Sequence, residues 1–385
     1  MSRVIYLDNA ETTKIDPEVL KVVDKYSSEV YGLPSATEYG EALGMQIRKD
    51  IEQAKETIAK AINAEPEEIV FTSDEVENDN LAVKGVCFAN PKKMHIITSK
   101  IERKSLLDIF RSLEAIGCFK TTYLDVDKEG FVSPEDVEKA ITDKTVLVAL
   151  HHVNHEIGTI QDIERIGETC KRRNVIFYVD ATQSFLKVPV NVKKMGIDIL
   201  SISADKIHGP KGVAALCVRN GLKLQRLFEG GESKDIVRPG YTNTPGVMGF
   251  AKAVKIYNKK ANERMKKMRD YLIDELLKIN DTHLNGPDGD KRVCNNVNIT
   301  FKYVEGEALL LYLSLKGIVA TTGSACFSST LKPSHVIMAL GSRHEDAHGS
   351  LRLTLSKFNT GNEMKETVKS IREVVGRLRE ISPLG

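Results

Sequence analysis

Val175-Ile176-Phe177-Tyr178-Val179-Asp180 is a run of five apolar residues closed by a carboxylate, and Ile199-Leu200-Ser201-Ile202-Ser203-Ala204-Asp205-Lys206 is a second, mostly apolar run with a lysine just beyond its end. Both are too short for a helix of the usual length and rich in β-branched or aromatic side chains, so they read as strands. Neither alternates polar with apolar residues, which is the pattern of strands buried on both faces. Val146 to Leu150 and Gly212 to Val218 read the same way, as further buried parallel strands. A sheet buried on both faces needs helices on both sides, so these runs predict an α/β fold.

Upstream, the same alternation continues. Asp16-Pro17 opens a helix, with the aspartate as N-cap and proline in the first turn. Residues 41–62 have helical periodicity, Glu68 to Thr72 reads as a strand, and a helix begins near Glu77. His95 to Thr98 and Thr121 to Leu124 are strands, with helices ending at Leu113 and opening at Ser133-Pro134. Downstream, a Lys- and Glu-rich helical stretch over roughly 247–279 leads into strand Asn296 to Phe301, helix 305–316, strand Ile318 to Thr321, helix 333–340, strand Leu351 to Leu355 and a charged helix from Glu363. That second pattern reads as a smaller α+β unit. A length of 385 residues suits a large domain plus a smaller one. The division expected is a large domain over 15–255 and a small one made of 1–14 with 256–385.

Fifty-five basic and 53 acidic residues give a net charge of +2, which lends no support to nucleic-acid binding. No apolar run approaches the roughly 18 residues of a membrane span, and the N-terminus has no signal-peptide pattern, so a cytoplasmic protein with no membrane partner is expected. The six cysteines form no CxxC pair, which argues against a zinc site and a redox dithiol, and no metal is expected. Cys326 stands apart in the small, polar, loop-like stretch Thr322-Gly323-Ser324-Ala325-Cys326-Phe327-Ser328-Ser329. In a cytosolic chain most of the cysteines read as small buried hydrophobes.

In open α/β sheets ligands bind beyond the carboxyl ends of the strands. Asp180, Lys206, and Asn154 with His155 all follow such ends. Taken singly, the aspartate is a helix cap and the lysine a solvated loop residue. Together they suit pyridoxal 5'-phosphate (PLP), where a lysine forms a Schiff base and a carboxylate protonates the pyridine nitrogen.

Seven stretches then resemble the cysteine desulfurases, in order and at matching spacing: Tyr6-Leu7-Asp8-Asn9-Ala10-Glu11-Thr12-Thr13, Val153-Asn154-His155-Glu156-Ile157-Gly158-Thr159, Asp180-Ala181-Thr182-Gln183, Ser203-Ala204-Asp205-Lys206, Gly209-Pro210-Lys211-Gly212, Gly323-Ser324-Ala325-Cys326 and Ser350-Leu351-Arg352-Leu353. The resemblance runs from residue 4 to 384. It implies a fold-type-I PLP-dependent transferase: a large, mostly parallel seven-stranded sheet domain flanked by helices, with a smaller α+β C-terminal domain. It also implies a homodimer. Its activity would be conversion of L-cysteine to L-alanine with a persulfide on Cys326, whose sulfur goes to an iron–sulfur scaffold or another acceptor protein. Lys206 would hold the cofactor, Asp180 the ring nitrogen and Gln183 the ring, Ser203 would donate to the phosphate, and Arg352 would clamp the substrate carboxylate. Glu75, Val76, Arg103, Asn154, His155, Asp205 and Tyr241 fall at the remaining cofactor positions.

Several of these positions depart from the family. Gly-Ala-Thr-Glu, the usual phosphate cradle, is Asp74-Glu75-Val76-Glu77 here. The ring-stacking histidine is Arg103, the second asparagine of Val-Asn-Asn-Glu is His155, and the histidine before the lysine is Asp205. Arg-Ser-Gly-Thr, which reaches a partner's phosphate, is Arg238-Pro239-Gly240-Tyr241, and the asparagine before Pro-Ser is Leu33. Two like unit charges about 4 Å apart cost about 4 kcal/mol at an effective dielectric of about 20, so Asp205 and Glu75 would oppose a phosphate unless they turn away and Arg103 or Arg238 compensates. Arginine stacks on rings but holds its proton throughout the physiological range, so an acid–base group would have to come from elsewhere. His155 is the candidate for that catalytic role, with His151 and His152 nearby in sequence. Two other readings stand beside the desulfurase. One is a degenerate relative that binds PLP weakly or not at all and serves as a scaffold or sulfur-carrying partner. The other is a different fold-type-I aminotransferase, which would leave Cys326 idle.

Overall fold

In the computed structural model, which describes residues 4–32, 42–230, 237–323 and 333–381, the two runs carrying Asp180 and Lys206 are adjacent parallel strands of one sheet. The chain begins with the short strand β1 (Ile5–Tyr6) and helices α1 (Pro17–Ser28) and α2 (Ala42–Ile62). Asp16 caps α1 by accepting from the Glu18 N–H, as its sequence predicts. Strands and helices then alternate: β2 (Ile69–Thr72), α3 (Glu75–Ala89), β3 (His95–Ser99), α4 (Lys104–Ala115), β4 (Lys120–Leu124), α5 (Pro134–Ala140), β5 (Thr145–His151), α6 (Ile163–Arg172), β6 (Ile176–Asp180), β7 (Ile199–Ser203) and β8 (Ala214–Val218).

These strands form a seven-stranded sheet in the order β2-β8-β7-β6-β5-β3-β4. It is mostly parallel, with one correction. The Gly212 to Val218 stretch yields β8, which runs antiparallel to both β7 and β2. A strand buried on both faces has the same apolar composition in either direction, so the sequence does not report its sense. One apolar cluster packs α2, α6 and the following helix α7 (Thr244–Ile256) on one face, and another packs α3 and α4 on the opposite face.

The helical stretch expected over 247–279 is two helices, α7 and α8 (Lys260–Leu276). The chain becomes extended at Tyr257, and the Asn258 side chain accepts from the Lys260 N–H to start the second. No proline or glycine marks this break, so periodicity alone runs through it. Beyond it come β9 (Thr282–Leu284), β10 (Asn296–Phe301), α9 (Gly306–Leu315), β11 (Ile318–Val319), α10 (His335–Ala339), α11 (His344–His348), β12 (Ser350–Thr354) and α12 (Gly361–Glu380). Strands β12-β10-β9 make an antiparallel sheet with its own apolar core, to which α8, α9 and α12 contribute. No helix among the described residues is long and apolar enough to cross a membrane.

The N-terminal segment links the two sheets. Strand β1 pairs in parallel with β11, and Asp8 bridges to Thr354 at the end of β12. A few residues on, the Thr13 N–H donates to the Asp205 carbonyl and the Asp16 N–H to the His208 carbonyl, just past β7.

Candidate active site

Three strand ends and two helix starts converge. Asp180 is the last residue of β6, Ser203 the last of β7, and Asp205 and Lys206 lie in the helical turn after it. His151 ends β5, with Asn154 and His155 in the turn beyond. Glu75 opens α3, and Arg103 is the residue before α4. Parallel strands deliver these side chains to one edge of the sheet.

Lys206 is buried at that edge. Its ammonium donates to the Glu11 carbonyl at 2.6 Å and pairs with Asp205 Oδ2 at 2.9 Å and Glu75 Oε1 at 3.3 Å. Burial lowers its pKa, but Asp205 and Glu75 more than offset that, and the amine is held above its ordinary value. The second oxygen of Asp205 accepts the Ser203 hydroxyl at 2.5 Å.

Arg103 sits beside this group. Its Nε donates to Asp180 Oδ2 at 2.8 Å, one terminal nitrogen pairs with Asp79 Oδ2 at 2.8 Å, and the other lies 3.5 Å from Glu75. Asp180 also accepts the N–H and hydroxyl of Thr182. Burial alone would raise the Asp180 carboxyl, but Arg103 and Thr182 hold it below the usual range. Asp79, fully buried one helical turn after Glu75, is pushed up to about 7 by burial, with Asp180 adding to the rise. One guanidinium cannot neutralise two buried carboxylates, so Asp79 is the one that keeps its proton near neutrality. It also receives the Tyr178 hydroxyl.

Arg352, in the middle of β12, approaches from the other sheet. It donates to the His155 carbonyl at 3.1 Å, to Asp8 at 3.1 Å and to Glu11 at 2.5 Å. Burial, followed by the Arg352 charge, holds His155 well below the ordinary histidine range, so its imidazole is neutral at physiological pH. It is a weaker base than a free histidine. His152 is pushed down to about 4 by burial and by His151, and the His151 ring lies 2.8 Å from Glu102.

The structure thus brings together Lys206, Asp205, Glu75, Ser203, Asp180, Arg103, Arg352 and His155. Gln183 is buried with its amide on the Ala10 carbonyl. The Asn154 side chain bonds the backbone of Ile101, Glu156 and Ile157 instead of facing a ligand. Val76 is half-exposed, and Tyr241 is 81% exposed. Arg238 does not compensate the carboxylates, because it pairs with Glu77 at 2.9 Å. Asp205 and Glu75 do not turn away either; they turn onto Lys206. Cys326 and Leu33 lie outside the described residues. Sequence reading missed Glu11, Asp8 and Asp79. Glu11 had a visible signal, a charged side chain inside the otherwise small and polar Asn9-Ala10-Glu11-Thr12-Thr13.

A mostly parallel sheet with a lysine and a carboxylate on adjacent strand ends, faced by an arginine from a smaller sheet, defines a fold-type-I PLP enzyme scaffold, and the aminotransferase class-V family model matches residues 5–366. The chain belongs to the cysteine desulfurase family within that class, whose members are PLP-dependent. It is 44% identical over 388 residues to cysteine desulfurase IscS of Dictyoglomus turgidum, covering 100% of this chain and 97% of that one. Among solved structures, a NifS-like protein superposes with a TM-score of 0.90 at 33% identity, covering 97% of this chain and 100% of that one. A structure described as SspA in complex with cysteine superposes with a TM-score of 0.82 at 34% identity, covering 92% and 100%.

PLP asks for an amine, an acid at the ring nitrogen and a donor-lined phosphate cradle. The amine and the acid are present. The cradle does not fit a dianionic phosphate: the Ser203 hydroxyl is spent on Asp205, the Ser73 hydroxyl and N–H on Glu77, and Asp74 caps α3. Around the whole site three cations, Arg103, Lys206 and Arg352, face six carboxyl groups, those of Asp8, Glu11, Glu75, Asp79, Asp180 and Asp205. Each of these three cations is already paired with carboxylates of the chain.

Proposed function

We propose that this chain is a cysteine desulfurase whose pocket is held shut at rest by its own ion pairs. In this reading it takes sulfur from L-cysteine, leaves L-alanine, and passes the sulfur through Cys326 to an acceptor such as an iron–sulfur scaffold. The carrying observation is Lys206, buried at the end of β7 and one strand from Asp180, in a chain similar to cysteine desulfurases over its full length. PLP, when bound, supplies an electron sink for the substrate carbon. The chain supplies the rest. Arg352 binds the substrate carboxylate by its planar fork. The Lys206 amine, once released from Asp205 and Glu75, takes the α-proton. His155, whose carbonyl holds Arg352, keeps a neutral imidazole that is too weak a base to take a proton from the incoming ammonium, so the acid–base work falls to Lys206. Arg103 and Thr182 keep Asp180 ionised. The cysteine bound in the SspA structure supports the choice of substrate.

The same reading takes the molecule as two domains, a large one over 15–255 and a small one of 1–14 with 256–385, each with its own apolar core. It also takes the active form as a cytoplasmic homodimer, in which Tyr241 reaches the partner's site.

A second reading is favoured by the paired cations and the unfitted cradle: a relative that has given up the cofactor and serves as scaffold or sulfur carrier. One experiment separates them. The purified protein is titrated with PLP and scanned for the visible band of lysine-bound cofactor, and alanine and sulfide are then assayed after adding cysteine. Desulfuration lost in Lys206→Ala and persulfide transfer lost in Cys326→Ala support the enzyme. No band at saturating PLP favours the scaffold, and amino transfer without sulfide favours an aminotransferase.

A further inference from the structure

Arg352 is buried, with 5% of its side chain exposed, yet the carboxylate closest to it belongs to a residue that is 62% exposed. Glu11 reaches in from the solvent side, and its Oε1 lies 2.5 Å from the guanidinium. The same residue holds Lys206, because the Glu11 carbonyl accepts from the lysine ammonium at 2.6 Å. Asp8, the other acid on Arg352, is far less exposed, at 16%, and its neighbour Asn9 is anchored to the Thr354 carbonyl. Glu11 is therefore the displaceable partner and Asp8 the fixed one. The clamp also has a donor left over. Arg352 Nε is buried and has no hydrogen-bond partner among the described residues. A free amino-acid carboxylate can set one oxygen on Nε and the other on a terminal nitrogen, whereas the tethered Glu11 side chain places only Oε1 on the guanidinium.

We propose that Glu11 is a resident carboxylate that occupies the substrate-carboxylate position on Arg352 and must be displaced by an incoming amino acid. The inference rests on Arg352 being the substrate clamp. Glu11 then acts as a specificity residue: it sets how strongly a free carboxylate must compete to enter.

A tethered competitor acts at an effective concentration in the millimolar range or above. Removing its charge should therefore tighten carboxylate binding by about tenfold or more. The test is calorimetric titration of the full-length protein, without added PLP, with L-alanine and separately with ethylamine, which keeps the amine and lacks the carboxylate. Glu11→Gln is expected to bind L-alanine at least about tenfold more tightly than the wild type, Glu11→Asp to fall between, and ethylamine binding to be unchanged. Glu11→Ala provides the same comparison if the glutamine variant does not fold. Equal or weaker L-alanine binding, or none in any form, overturns the proposal. An equal gain for ethylamine also overturns it, since Glu11 would then only fill space. Cysteine turnover does not enter this measurement, so failure of the desulfurase reading and failure of the Glu11 inference are seen separately.

Discussion

Asp205 can be changed with little change of shape. In Asp205→Asn the side chain keeps its volume and loses its charge. The aspartate is 13% exposed, holds the Ser203 hydroxyl at 2.5 Å and stands 2.9 Å from the Lys206 amine. A phosphate that takes that hydroxyl must come within about 5 Å of the carboxylate now holding it, where each like unit charge costs about 3 kcal/mol at an effective dielectric of about 20. Losing the charge also weakens the ion pair that keeps Lys206 occupied, while Glu75 still pairs with the amine at 3.3 Å. Both changes favour cofactor entry. Because the aspartate can swing away from an incoming phosphate, roughly half of the Coulomb figure is expected to survive. That is about 1.4 to 2.7 kcal/mol, or 10- to 100-fold tighter PLP binding. The assay is equilibrium titration with PLP, read by visible absorbance, in wild type and variant, with pyridoxal as the control that lacks the phosphate. Unchanged or weaker PLP binding, or an equal gain for pyridoxal, would refute the electrostatic account.

Arg103→Leu leaves Asp180 and Asp79 buried without their cation and is expected to destabilise the fold by about 3 to 5 kcal/mol, measured by urea denaturation. Asp79 gives a pH signature. Its carboxyl keeps its proton to about pH 7 in the fold but loses it near 3.8 when free, so its contribution to stability is full below about pH 4 and declines as pH rises toward 7. Asp79→Asn should therefore gain melting temperature relative to wild type between those pH values, and a constant difference would exclude the assignment. Lys206→Ala should abolish both the visible cofactor band and any alanine release; retention of either would remove the lysine from its role.

The sequence was most legible where one physical requirement acts on neighbouring residues. Apolar runs reported β5, β6 and β7, and their last residues reported Asp180 and the approach to Lys206. Capping chemistry reported the start of α1. Two kinds of feature were not legible. The sense of β8 depends on its partners, and burial erases the difference. The pairing of Arg103 with Asp180 joins residues that are 77 apart and lie beyond different strands, so no local pattern carries it. The departures at Glu75, Arg103 and Asp205 could be seen singly; that they satisfy one another in a single network required their positions. The Glu11–Arg352 pair is a further case, its partners 341 positions apart in the sequence.

That separation bears on how the molecule is made. Strand β1 has no strand partner until β11 exists, and Asn9 waits for Thr354, 345 residues later. Closing loops of this length is entropically costly and slow, and it comes after local structure has formed. During synthesis the seven-stranded sheet can assemble, and residues 10–13 can dock on its edge through Gln183, Lys206 and Asp205, before the last strand exists. Asp8 and Glu11 meet Arg352 only once β12 has been made. The nascent chain therefore passes through a stage in which the edge beside Lys206 lacks Arg352, and a ligand that is to be enclosed there enters most easily at that stage.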